Sequence, residues 1–420
     1  MAIRGPRRGR DGSIALGKGN GGSFASSENK QPVAQARKHL NLRPIFSEID
    51  KPFFILVLVL LAFGLVMMFS ASYAWGLSDE GDGYYYVKKQ LFSAMLGLIA
   101  MFIASFVDYH FFQNTKVAFS VFGLTYMLCI ITVLVGDKYA VADAKRWIRI
   151  GPLNLQPSEL LKVAFIIIFA YIMAVNFPKF KTDWRYCIVP FAIIMVLVFL
   201  VLALQRHLSA VMLIGIIGVS MMFVSGMPAK TFWKFIGVCA GAALILVLIK
   251  IVSGGSGFSY ISDRIQSWKD PTSDISGDTY QTYESLLAIG SGGWTGLGFG
   301  ESKQKYLYLP EAQNDFVFSI ICEELGFVGA MVVVFLFVLF ILRGFYIASH
   351  AKDRFGMLVA AGITIQIGSQ AFFNIMVACN AFPNTGISLP FFSYGGTALL
   401  IQLAEMGVLL NISRQCNIEK

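Results

Sequence analysis

Long apolar runs alternate with short polar breaks along most of the chain. Ten runs stand out, at about 53–74, 90–107, 117–136, 159–177, 186–204, 208–226, 232–252, 315–342, 356–379 and 388–412. Most approach about twenty residues, the helix length that crosses a hydrocarbon core of roughly 30 Å. The pattern predicts an all-α polytopic membrane protein with ten transmembrane helices in a membrane domain over residues 52–412. The closest junction is Gln205-Arg206-His207, between the fifth and sixth runs. One continuous helix there would invert every later segment, and the charges of the later loops argue for two.

One polar break is far longer than the rest. Residues 253–314 exceed what a connector needs. They include Tyr260, Ile261, Arg264, Ile265 and Trp268, at the spacing of an interfacial helix. Such a helix lies on the membrane surface; a direct substrate contact is the other reading. Residues 1–51 are rich in Gly, Ser, Arg and Lys without an apolar period, which predicts a disordered basic tail. Arg7-Arg8 is followed by no apolar segment until Phe53, so it is not read as a twin-arginine signal. Residues 413–420 form a short C-terminal tail.

Charge orients these segments. The loops 108–116, 178–185, 227–231 and 343–355 carry Lys116, Lys179, Lys181, Arg185, Lys230, Arg343, Lys352 and Arg354, against Asp108, Asp183 and Asp353. By the positive-inside rule they face the cytosol, with both termini. The loop 253–314, between the seventh and eighth spans, is then extracellular. Hydrophobic residues make up 56% of the chain and charged residues 14%, with a mean hydropathy of +0.65, which sets a soluble domain aside. The net charge of +9 reports topology rather than nucleic-acid binding. The six cysteines show no CxxC spacing and the four histidines are scattered, so neither a zinc site nor a disulfide framework is expected.

The most informative polar residue is Asp315, in the run Leu309-Pro310-Glu311-Ala312-Gln313-Asn314-Asp315-Phe316. It closes the long outer loop and opens an apolar helix, where a carboxylate costs free energy unless paired, hydrated or used. Two readings stand: a helix cap, or a general base at the outer face that takes a proton from a hydroxyl nucleophile.

The loop 137–158 supplies the opposite charge. Lys145, Arg146 and Arg149 flank Trp147 on an outer loop, against the usual bias. Outer cations suit an anionic lipid pyrophosphate. Trp147 either anchors the interface or packs on a sugar ring. Glu159 and Lys162, at i and i+3, are a structural ion pair or line a polar cavity. Arg206-His207 forms a third outer site between the fifth and sixth runs, where Arg206 either snorkels or joins the cationic set. Glu323 and Glu324 lie roughly 12–14 Å beyond Asp315 at 1.5 Å per residue. Acids at that depth should face the bundle interior or water, and both cannot share the face of Asp315. The run Gly290–Gly300 lacks a phosphate-loop context and reads as backbone made for close approach. In Asn384–Thr397, small residues permit tight helix contact, or hydroxyls such as that of Ser393 face a cavity near Asp315.

Three spaced motifs carry a resemblance. They are Lys145-Arg146-Trp147-Ile148 with Gln156-Pro157-Ser158-Glu159; Pro310-Glu311 through Asp315-Phe316 with Glu323-Glu324-Leu325-Gly326; and Leu389-Pro390-Phe391-Phe392-Ser393-Tyr394-Gly395-Gly396. In this order, across roughly 53–412, the chain resembles the SEDS family of FtsW, RodA and SpoVE. The basic N-terminal extension and Gly396-Thr397-Ala398 lean towards the FtsW or SpoVE side. The resemblance implies a ten-helix glycosyltransferase that polymerises lipid II into peptidoglycan strands during cell division or cell-wall growth. It also implies a class B penicillin-binding protein as transpeptidase partner, with divisome or elongasome membrane proteins around it. It maps the family's essential aspartate onto Asp315 and its motif tryptophan onto Trp147. Substrate contacts are expected from Lys145, Arg146, Arg149, Arg206, Glu159, Lys162, Asn314 and Ser393. A divalent cation, Mg or Mn, is an optional addition. The chain departs from the family where His-Thr commonly precedes the aspartate, reading Gln313-Asn314, and where Pro is common, reading Arg206. Two rival readings are a flippase for a lipid-linked precursor, using Glu323, Glu324 and Glu405, and a non-catalytic scaffold for a transpeptidase.

Overall fold

A computed structural model describes residues 49–135, 146–150, 153–180, 183, 185–237, 268–273, 277 and 279–416. Its helices are α1 (Lys51–Glu80), α2 (Tyr85–Phe106), α3 (Thr115–Val135), α4 (Pro157–Phe180), α5 (Arg185–Leu204), α6 (Leu208–Val224), α7 (Tyr280–Gly292), α8 (Val317–Ser349), α9 (Arg354–Ala378) and α10 (Gly396–Gln415). A 3-10 turn, Tyr109–Gln113, joins α2 to α3. Among the described residues, eight helices are long and apolar enough to cross a membrane, and α6 is a shorter apolar one. They match every expected run but the seventh; 229–237 are helical, and the rest of 232–252 lies outside the described residues. The N-terminal tail also lies outside them. The fifth and sixth runs are two helices, because Arg206 turns between them at φ 52.

Alternate helix ends gather as expected for a bundle that winds up and down. At one end, Arg343 in the last two turns of α8 grips Asp50, which caps α1, through contacts of 2.8–3.1 Å. Asp50 N–H also donates to Ser413 of α10 at 3.2 Å. Nearby, Tyr109 bonds Asp353, the cap of α9, and its N–H donates to Asn411 of α10 at 3.1 Å. Helices α2 and α10 approach most intimately: a Cβ on Gly407 would lie 2.3 Å from the Met101 carbonyl, and one on Gly97 would strike Leu403. Such small residues let backbones meet where lipid gives no hydrophobic drive to pack.

The N-terminal part of α8 departs from the expected continuous span. Gly326 breaks the helix at φ 64 and ψ −164. The glycine-rich loop after α7 fills the break. Leu297 and Gly298 N–H donate to the carbonyls of Glu323 and Glu324 at 2.9 and 3.0 Å, while Phe327 and Val328 N–H donate to Gly293 and Trp294 at 2.9 and 3.2 Å. The loop thus satisfies the backbone groups that the broken helix leaves open. Only glycine fits this contact: a Cβ on Gly292 or Gly296 would lie 1.9 or 2.1 Å from a carbonyl oxygen of α8. Above the break, residues Val317 to Glu324 are all buried; below it, Phe327, Val328, Met331, Val332, Phe335, Val338 and Leu342 form an exposed apolar stripe. Lipid contact on this face of α8 therefore starts below Gly326.

Of the two surroundings expected for Glu323 and Glu324, bundle interior or water, both take the interior. Neither faces water: Glu323 accepts from Ser302 and from Lys303 N–H (2.9 Å), and Glu324 accepts from Ser70 (2.6 Å) and Lys305 (2.9 Å). They fasten the loop after α7 to α8 and α1.

Two further features concern loops. Within the loop 137–158, two short strands, β1 (Ile148–Ile150) and β2 (Leu153–Leu155), pair antiparallel, with Arg149 opposite Asn154. The tenth helix starts at Gly396 instead of 388, because Pro390 and the left-handed Phe391 (φ 67) hold 388–395 out of helix.

Candidate active site

A cavity of about 1000 Å³ collects residues from most of the chain. One side of its lining is the loop before α8, with Glu311, Asn314 and Asp315. Asp315 is fixed through its main chain: its N–H donates to Glu311 at 3.2 Å, and its carbonyl accepts from Asn374 of α9 at 2.7 Å. Asn374 also donates to Ile387 at 2.7 Å, which draws the 384–389 loop against the aspartate. Gly386, in left-handed conformation, lies beside the carboxylate: a Cβ there would sit 3.3 Å from Oδ2. The cap position of α8 is Phe316, and it makes no side-chain cap bond.

The loop 388–395 is held by its own backbone bonds. Tyr394 N–H donates to the Gln313 carbonyl at 2.7 Å. Gln90 of α2 reads the loop twice, donating to the Ser393 carbonyl at 3.1 Å and accepting from Gly395 N–H at 3.2 Å. Ser393 lines the cavity, and its hydroxyl accepts from Leu389 N–H at 2.7 Å. The hairpin meets α10 through Thr397, which donates to the Asn154 carbonyl at 2.6 Å.

The other lining residues include Arg146, Trp147, Glu159, Lys162 and His207. Glu159 and Lys162 are both buried and form an ion pair at 2.8 Å. The two sequence readings of this pair are compatible, since it is structural and also lines the cavity. Arg146 donates to the Arg206 carbonyl at 2.6 Å. Burial first, and then the Arg146 and Lys162 cations, hold the His207 imidazole down at about 3, so it is neutral in working buffers. Burial above all pushes the Tyr394 phenol up to about 12, which keeps it a donor. Cationic Lys88 and Lys89 of α2 also line the cavity, Lys88 paired with Asp82 at 2.7 Å and Lys89 over the Tyr85 ring at 4.0 Å.

The structure thus brings together Asp315, Asn314, Arg146, Trp147, Glu159, Lys162 and Ser393. Lys145 and the side chain of Arg149 lie outside the described residues. Arg206 is not part of the lining; its turn leaves it exposed and puts its buried neighbour His207 at the wall. Sequence reasoning missed Tyr85, Lys88, Lys89, Gln370 and Gln402, and gave no role of their own to His207 and Tyr394. The signal for the lysines was available: they are outer-end cations that run against the charge bias. Among the described residues no group of three or more His, Cys, Asp or Glu is placed to hold a metal. Glu311 and Asp315 alone do not make a protein-held divalent site.

The profile of the FtsW/RodA/SpoVE family, described as cell cycle protein, matches residues 51–418. A probable peptidoglycan glycosyltransferase FtsW from Geobacter sp. (strain M18) is 36% identical over 358 residues, covering 85% of this chain and 95% of its own. Stage V sporulation protein E of Bacillus subtilis (strain 168) is 36% identical over 361 residues, covering 86% and 95%. Among solved structures, a chain of a peptidoglycan synthase complex superposes with a TM-score of 0.71 at 24% identity, covering 88% of this chain and 98% of that one. The rod shape determining protein RodA of Thermus thermophilus superposes with a TM-score of 0.63 at 25% identity, covering 90% and 100%. This multi-pass membrane protein belongs to the FtsW/RodA/SpoVE family.

Proposed function

We propose that this protein is a peptidoglycan glycosyltransferase that polymerises lipid II at the outer face of the bacterial cytoplasmic membrane, in cell division or cell-wall growth. The observation that carries the reading is the cavity that joins Asp315 to Arg146, Trp147 and Lys162. Asp315 takes the proton from the 4-hydroxyl of the acceptor's N-acetylglucosamine. The freed oxygen attacks the anomeric carbon of the donor's N-acetylmuramic acid. The bond from that carbon to pyrophosphate breaks, and undecaprenyl pyrophosphate leaves with the electron pair. Arg146, with Lys145 and Arg149 of the same segment, stabilises the departing charge; Lys162 and Asn314 orient the sugars, and Trp147 packs on one of them. Both termini are cytosolic and the 253–314 loop is extracellular. A class B penicillin-binding protein crosslinks the strands that this protein makes.

The test is polymerisation of labelled lipid II by purified protein, with and without its cognate class B penicillin-binding protein, beside Asp315→Asn. The native pair should give long glycan products, and the variant should lose at least about a hundredfold, as expected on removing a general base. Full activity in the variant would sink the assignment of Asp315. No product from either, with lipid II crossing proteoliposome bilayers, would mean a flippase instead.

A further inference from the structure

The pair formed by Glu405 of α10 and Gln366 of α9 belongs to no step of that reaction. Both side chains are buried, at 2% and 1% exposure. Gln366 Nε2 donates to Glu405 Oε1 at 2.8 Å. The other two oxygens of the same pair, Glu405 Oε2 and Gln366 Oε1, are buried without a hydrogen-bond partner. A carboxylate oxygen and an amide oxygen are both acceptors, so ionised Glu405 cannot satisfy either one. A proton on Oε2 satisfies both. The new O–H donates to the amide oxygen, and acid and amide close a ring of two hydrogen bonds.

Charge leads to the same state. The charged groups that act on Glu405 are Lys162 and Glu159 of α4, which already neutralise each other at 2.8 Å. The other helices packed on α10 bring no compensating charge. The ionisable residues of α2 (Tyr85, Tyr86, Lys88, Lys89) stand at its outer end, and those of α1 (Lys51, Tyr73, Asp79, Glu80) towards its ends. In α8, Glu324 is held by Lys305, and Arg343 by Asp50. Ionised Glu405 would place two carboxylates against one ammonium away from water, a net charge that is costly to bury.

We propose a proton-binding site one helical turn beneath the cavity: Glu405 carries a proton shared with Gln366, and the acid–amide pair locks α9 to α10. The pair lies one helical turn beyond the cavity-lining Gln370 and Gln402 on the same two helices. Helix α9 carries Asn374, which holds the Asp315 carbonyl; α10 follows the loop that carries Ser393 and Tyr394. Glu405 is therefore a positioning residue, acting through the helices that frame Asp315.

Glu405→Gln supplies an amide of the same shape that closes the same ring. Its polymerisation rate and melting temperature should match the native protein within about twofold and a few degrees, whereas Glu405→Ala, which strands Gln366, should lose about tenfold or more. In infrared difference spectra the native protein should show a protonated-carboxyl C=O band that Glu405→Gln lacks. Loss of that band on substitution establishes the proton. An unchanged acid region, or a Gln variant as damaged as the Ala variant, would overturn the proposal in favour of an ionised Glu405 paired with Lys162. The activity arm rests on the polymerase reading, but the infrared arm does not. A lost band in a protein without polymerase activity would refute that reading alone.

Discussion

At the scale of single residues, His207 and Asp315 show how the surroundings choose a chemical role. Asp315 sits on a main chain pinned by Glu311 and Asn374 in a cavity lined by cations. His207 is buried beside Arg146 and Lys162, which removes its capacity to act as an acid at working pH. The same burial makes a stability prediction. The folded imidazole takes a proton only near 3, the unfolded one near 6.5, so between these values the unfolded chain binds more protons. The stabilisation is complete above 6.5 and is lost as pH falls through 6.5 towards 3. Melting temperature against pH should show this acid limb in the native protein and lose part of it in His207→Asn; identical profiles would contradict the burial argument. Asp315 and the Arg146–Trp147 pair were legible in the sequence because charge at an outer boundary has few bland explanations. Arg206-His207 was legible as an outer pair, but not which of the two lines the cavity, because a histidine between two spans carries no sign of whether its ring turns inwards.

At the scale of elements, hydropathy found the helices but not their interruptions. Reading 315–342 as one span presumes an unbroken helix, and Gly326 breaks it against the loop that follows α7. The carboxylates that looked like an intramembrane path are fasteners for that loop. The hairpin escaped notice for a related reason: its strands are three residues each and are backed by α10, so the local pattern is too short to declare itself. The fastening can be measured. Lys305→Met leaves Glu324 buried without its cation and should cost about 3–5 kcal/mol, while adding Glu324→Gln should recover much of that loss. Equilibrium unfolding in mixed micelles would report the cycle; additive losses would mean that the two residues are not coupled.

At the scale of the molecule, the winding order of the chain sets which groups share a face. Asp50, Asp353 and Ser413 meet at one end, and Arg146, His207, Asp315 and Ser393 at the other. Helix α6 runs away from the site, yet Trp268 bonds the Asn380 carbonyl just past the outer end of α9 at 3.0 Å. The described segments that end at 237 and begin at 268 thus lie at opposite ends of the bundle. In a cysteine-free background, Lys303→Cys should react with an impermeant maleimide added outside intact cells, and Lys352→Cys only after permeabilisation. The opposite pattern would invert the topology.

The glycine break in α8 also sets a length. Between it and Arg343, the segment Phe327–Leu342 measures about 24 Å at 1.5 Å per residue, against a hydrocarbon core of roughly 30 Å. The bilayer beside this flank must thin to meet it, or the whole bundle must lean. A protein with one short wall is a gauge of membrane thickness: in vesicles of graded acyl-chain length, its polymerisation rate should peak in thin bilayers and decline as the chains lengthen.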